Sequence, residues 1–151
     1  MRALGVTVAA ILALALAAGS AAIAATHSTA RGTSVSTAST GLGRVITDSR
    51  GRTLYLFEKD KRGRSSCSGI CASYWPPLLT TEKPVATGGA KRSLLGTIRR
   101  SDGTKQVTFA GHPLYRFSGD SKRGQTSGEG LTDFGASWYA VSPSGKKIDR
   151  D

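Results

Sequence analysis

One six-residue phrase occurs twice in this chain. Residues 55–60 read YLFEKD and residues 115–120 read YRFSGD, both Tyr-x-Phe-x-x-Asp, sixty residues apart in a chain of 151. The match extends backwards: GRTLYLFEKD at 51–60 aligns without a gap with GHPLYRFSGD at 111–120, sharing Gly, Leu, Tyr, Phe and Asp. Further on, Ala72-Ser73-Tyr74-Trp75 falls near Ala136-Ser137-Trp138-Tyr139. A tandem duplication limits the fold more than any single motif does. Two repeats are too few for an extended solenoid, so residues of about 41–98 and 99–148 are expected to pack on each other with approximate two-fold symmetry.

The local pattern is β throughout. Val45–Thr47 and Thr53–Phe57 flank the turn-forming Asp48-Ser49-Arg50-Gly51 and read as a hairpin. Leu94–Ile98 and Gln106–Phe109 flank Ser101-Asp102-Gly103, and Ala110–Pro113 leads into a strand at Leu114–Phe117. Ser137–Ser142 and Lys146–Ile148 close the chain around Pro143-Ser144-Gly145. The fold class is therefore all-β with at most short helical turns: a compact antiparallel meander, a sandwich or a small barrel. The best helical candidates are single turns near Ser68–Tyr74 and Leu131–Phe134.

Within the repeated phrase, strand alternation sends Tyr55 and Phe57 to one face and Leu54 and Leu56 to the other. Tyr115 and Phe117 repeat the aromatic face, while Leu114 and Arg116 leave the second face only partly covered in that copy. Each buried aromatic is worth about 1.5–3 kcal/mol, so four supply much of a small core. Asp60 and Asp120 follow the strands and precede Gly-containing loops, where a carboxylate accepts loop amides two or three residues on and Gly supplies positive φ. Flanking Lys and Arg favour their ionised form. The functional alternative is a paired catalytic or metal-binding carboxylate site.

The N-terminus sets the compartment. After Arg2 an apolar run extends through Ala18, and Ala22-Ile23-Ala24 offers a small-residue cleavage site, so residues 1–25 read as a secretory signal peptide, the alternative being an uncleaved anchor. Residues 26–40 hold nine Ser or Thr and one branched apolar residue, Val35, and read as a disordered linker. Residues 41–151 have the size of a single domain with a thin core. Removing residues 1–24 takes away Arg2 alone and leaves 20 basic against 10 acidic residues. An exported protein of that charge associates with anionic envelope polymers or head groups, unless its basic clusters are simply solvated loops. No nucleic-acid recognition motif accompanies the charge.

The doubled Tyr-x-Phe-x-x-Asp, GHPLY at 111–115, Cys67-Ser-Gly-Ile-Cys71 before Trp75-Pro76-Pro77-Leu78, and the closing FGASWYAVSPSGK together resemble the bacterial secreted-repeat family. Many of its members are described as envelope lipoproteins. The resemblance covers about residues 41–148 and implies an exported β-rich repeat protein of unassigned molecular role. The chain departs from a lipoprotein in having no cysteine near the leader, so lipidation does not carry over.

Cys67 and Cys71 are the only cysteines. In an oxidising compartment an intrachain disulfide is the first expectation, and a helical turn at 68–70 would bring them within reach. The alternative is a redox pair or a copper site, since two thiolates suit Cu(I) and His112 is the one plausible further ligand. His112, matched by Arg52 in the first repeat, otherwise reads as an exposed turn residue. Trp75-Pro76-Pro77 reads either as a core-packed edge or as a lip for sugar or peptide. There is no Gly-x-Ser-x-Gly, no H-E-x-x-H, no phosphate-cradling Gly-Lys-Ser/Thr loop and no C-x-x-C-H. The expectation is an exported, non-catalytic envelope protein without a cofactor, binding an anionic envelope component or a protein partner. The alternative is a copper or redox accessory using Cys67 and Cys71.

Overall fold

The computed structural model describes residues 32–150. The leader, and the part of the Ser/Thr-rich segment before residue 32, lie outside them. Strand β1 spans Ser34–Thr40, β2 Gly43–Asp48 and β3 Tyr55–Phe57, followed by the one-turn helix α1, Ile70–Tyr74. Next come β4 Val85–Ala86, a 3₁₀ turn at Arg92–Leu94, β5 Leu95–Arg99, β6 Lys105–Phe109 and β7 His112–Pro113. The chain closes with β8 Thr132–Asp133 and β9 Ala136–Ala140. Three small sheets result, ordered β2-β1-β4, β3-β9-β8 and β5-β6-β7, and they do not close into a barrel. Pairing is antiparallel except between β1 and β4.

β1 corrects the linker expectation for residues 34–40. Its Ser and Thr side chains tolerate a half-exposed pleated surface, and Val35 anchors it with no exposed area. The helical turn expected at 131–134 is a hairpin, with Thr132 opposite Ser137 and Asp133 opposite Ala136. The β5–β6 hairpin and the turn at 70–74 lie where the sequence places them.

The two repeats exchange their ends. Ile46 N–H bonds to Val141 O, Val141 N–H to Leu54 O and Leu54 N–H to Ile46 O, so the tail of the second repeat completes a three-way junction in the first. The mirror junction runs Val107 to Leu78, Leu78 to Leu114 and Leu114 to Val107, with Leu78 donated by the first repeat. Between the junctions, Tyr55 and Tyr115 exchange both backbone hydrogen bonds, at 2.9 and 3.0 Å. The pseudo-two-fold axis therefore passes between the two repeated phrases.

The symmetry is imperfect for a definite reason. β3 pairs with Trp138–Ala140, but its counterpart at 115–117 faces Trp75-Pro76-Pro77. Two prolines remove two N–H donors, leaving Arg116 N–H to Pro76 O and Ser118 N–H to Tyr74 O as one-way bonds. Thus the strand expected at Leu114–Phe117 is reduced to isolated bridges of Tyr115 with Tyr55 and Pro77.

Both faces of β3 are buried. Leu54, Leu56 and Leu114 enter an aliphatic core with Val35, Ile46, Leu78, Val107, Phe109 and Val141. Tyr55, Phe57 and Tyr115 enter an aromatic core with Trp75, Trp138 and the two cysteines, and Phe117 packs against it. The period-2 pattern places every one of these side chains on the expected face. Arg116 takes the fourth position on the aliphatic side and turns its guanidinium to Asp48 instead.

Candidate functional site

The repeated phrase builds a clasp between the repeats. Tyr55 Oη donates to Asp120 Oδ2 at 2.6 Å, and Tyr115 Oη donates to Asp60 Oδ2 at the same distance. Each acid's other oxygen accepts an amide of its own loop, Ser66 N for Asp60 and Ser127 N for Asp120. The sequence places the amide donors two or three residues after each acid; they stand six and seven residues on, and the cross-repeat tyrosine carries no local signal. Burial drives both phenols well above their ordinary value of 10, and the neighbouring carboxylate adds to the shift. Burial also raises Asp60, opposed by the hydrogen bonds from Tyr115 and Ser66. The two acids do not form one site: each is committed to a tyrosine, and among the described residues no group of three His, Cys, Asp or Glu could hold a metal ion.

Below the clasp four rings stack in the order Phe57, Trp138, Trp75, Phe117, with centroid separations of 4.0, 3.9 and 4.4 Å. Tyr55 meets Trp75 edge-on and Tyr115 meets Trp138 edge-on. Trp75 is thus the structural equivalent of Trp138, one position away from the sequence pairing. Having no exposed area, Trp75 cannot be a binding lip, and the two prolines beside it act as strand stops. Packing decides this motif.

Cys67 and Cys71 form a disulfide, with both residues buried in the aromatic core. Their sulfurs are bonded to each other, so the paired form presents no thiolate to copper. His112 sits in β7 opposite Phe109, half-buried, and burial together with Arg62 lowers its pKa. It lines a hollow with Glu58, Asp60, Lys146, Lys147 and Asp149.

Two arginines have structural partners that the sequence does not signal. Arg100 is buried, and its guanidinium donates to Ser65 Oγ, Gln106 Oε1 and Cys67 O at 2.7–2.9 Å. It braces the disulfide loop from below. Arg116 Nε lies 2.6 Å from Asp48 Oδ2, while Asp48 Oδ1 accepts the amides of Arg50 and Arg52. Asp48 thereby holds the β2–β3 turn in shape.

That turn borders a groove of about 1300 Å³, lined by Arg50, Arg52, Lys83 and Arg116 with Asp48 and Glu82. Its floor is Pro76, Leu79 and Val85, and β1 begins at its rim. Arg52 Nε is a buried donor without a hydrogen-bond partner among the described residues. Arg123 lies over Gly51, its guanidinium about 3.0 Å from where a Cβ would project. Gly51, at φ 77°, both permits the turn and leaves room for that cation. The sequence signal for this cluster was the basic turn itself, but its gathering with Lys83, Arg116 and Arg123 depends on the fold.

No curated protein matches the chain. No solved structure matches it either. A family model described as "Secreted repeat of unknown function" matches residues 36–79 and 96–142, one segment for each exchanged half and together more than half of the chain. The first segment begins inside β1, consistent with that strand belonging to the fold. With its doubled phrase, reciprocal clasp and duplicated junctions, the chain belongs to this family of exported secreted-repeat proteins.

Proposed function

We propose that this exported protein is a non-catalytic envelope module whose arginine-lined groove holds an anionic envelope polymer. The observation that supports the reading is the gathering of Arg50, Arg52, Lys83 and Arg116 on one groove. Asp48 compensates one of these cations and fixes two of their backbones, so the remainder is presented in a set geometry. Guanidinium groups suit phosphate or carboxylate oxygens because their planar donors match two acceptors at once. An open groove with an apolar floor fits an extended chain better than a small enclosed ligand.

The test is equilibrium binding to poly(glycerol phosphate) and, in parallel, to a polyuronate, across a range of salt. Binding is expected to weaken as salt rises, because exposed charges are screened over about 8–10 Å at 0.1–0.15 M. Replacing Arg50, Arg52 and Lys83 together by Gln should lower affinity about tenfold or more, each charge-assisted contact being worth about 1.5–3 kcal/mol when fully formed. The two polymers distinguish phosphate from carboxylate recognition. Unchanged affinity in the triple variant, or binding indifferent to salt, would sink the reading.

A further inference from the structure

Phe134 occupies a position that its side chain disfavours. It and Gly135 are the two loop residues of the β8–β9 hairpin, with φ of 56° and 90°. Two successive positive φ values are what a type I′ turn requires, and Asn-Gly or Asp-Gly is the usual solution. A phenylalanine there has left-handed backbone without the local hydrogen bonding that lets Asn adopt it. Surrounding contacts hold it: Lys59 Nζ reaches Phe134 O at 3.4 Å, and Trp138 Nε1 donates to Asp133 O.

The strain does not serve packing, because the ring faces outward. Phe134 is 40% exposed and touches Tyr74, itself 55% exposed, with centroids 6.0 Å apart. Ile70, one turn earlier on α1, is 72% exposed. The Cys67–Cys71 bond helps fix this orientation: Cys71 and Trp75 take the inner face of the turn, leaving Ile70 and Tyr74 outside. Three of the five large apolar side chains that are exposed among the described residues thus belong to one hairpin tip and one helical turn. None of the three lines the grooves around Arg116 or His112.

We propose that this tip is a lipid-contacting surface, which inserts Ile70, Tyr74 and Phe134 into the interfacial region of an anionic bilayer. Projecting apolar and aromatic side chains with a cation beside them match that region, where rings sit at head-group depth and lysine meets phosphate. Lys59 supplies the adjacent cation, its ammonium on Phe134 O, and the chain's excess of basic residues adds long-range attraction. A small-molecule site would be concave, and this surface projects. The membrane contact is distinct from the polymer groove and does not depend on it.

The experiment is co-sedimentation with vesicles of phosphatidylglycerol and phosphatidylcholine, and with phosphatidylcholine alone. Wild type and variants carry the same N-terminal segment, so its contribution cancels in the comparison. Phe134→Asn is the decisive variant, because it suits the turn better than the native residue and should fold at least as stably. It is expected to weaken partition into the anionic vesicles about tenfold, from the lost burial of one phenyl ring. Ile70→Ser with Tyr74→Ser should weaken it further, and vesicles without anionic lipid should bind less. The proposal is overturned if Phe134→Asn partitions like wild type or if wild type ignores anionic vesicles. It is also overturned if sedimentation shows the tip closing a dimer of this chain that Phe134→Asn separates.

Discussion

Tyr55 gives its phenolic proton to Asp120, an acid of the other repeat, at 2.6 Å. Asp120 is buried, while Asp60, which receives the reciprocal bond from Tyr115, is half-exposed. Removing the two hydroxyls should therefore have unequal effects. Tyr55→Phe leaves a buried carboxylate with one donor fewer and should cost about 1–3 kcal/mol, the penalty for an unsatisfied buried group. At Tyr115→Phe water can reach Asp60, so the loss should be smaller. Urea unfolding of both variants checks the order; equal midpoints would show that the clasp is not the asymmetric element described.

Burial of the clasp tyrosines and of two carboxyls gives stability a definite pH dependence. Asp60 and Glu129 have folded pKa values raised above 3.8 and 4.5, and Tyr55 and Tyr115 are raised above 10.0, in each case chiefly by burial. A raised acid pKa means that the folded state holds its proton more tightly than the unfolded state, so stability falls as pH rises through the window between the two values. For the carboxyls that window opens above about pH 4. For the tyrosines it opens near pH 10, where each should remove about 1.4 kcal/mol per pH unit and the pair about 2.7. Denaturant midpoints taken from pH 9 upward should drop steeply, and Tyr55→Phe with Tyr115→Phe should flatten the slope.

Which parts of this arrangement were readable beforehand follows from the range of the interactions. Alternation in Leu54-Tyr55-Leu56-Phe57 is local, and it placed the side chains on their two faces correctly. Repetition announced both halves of the clasp, but spacing alone does not say whether a tyrosine meets its own aspartate or its partner's. Only the exchange of Val141 and Leu78 between the junctions decides that. β1 was hidden because Ser and Thr read as solvated, and one valine carried its whole burial signal. Arg99 and Arg100 are adjacent in sequence, yet Arg99 is exposed while Arg100 is buried among oxygens that come from 33 and 35 residues away. The arginine groove was legible only as charge.

The disulfide carries a prediction about both stability and chemistry. Protein exported natively should show no titratable thiol under denaturing conditions and no bound copper. Reduction or Cys67→Ser should cost about 2 kcal/mol, as expected for so short a loop. It should also loosen α1, because Cys71 is the buried residue of that turn. Two free thiols with stoichiometric copper would instead restore the metal-site alternative.

Gly128 offers the sharpest test of the aromatic core. It stands where the loop after Asp120 passes between the clasp and the ring stack, and its amide lies 3.3 Å from Tyr55 Oη. A Cβ at this position would come within 2.9 Å of both Trp75 and the Tyr55 ring, closer than real Cβ contacts allow. Neither ring has room to retreat: Trp75 is sandwiched between Trp138 and Phe117, and Tyr55 is held by Asp120. The backbone here does not have positive φ, so Gly128→Ala should act by steric overlap alone. Overpacking of this kind costs about 1–3 kcal/mol. Because the displaced groups are indole and phenol, near-ultraviolet circular dichroism should change together with the denaturation midpoint. Gly63→Ala serves as the contrast: it meets no neighbour within 4 Å, but it sits at φ 77° and should be strained by conformation instead, leaving the aromatic signal unaltered.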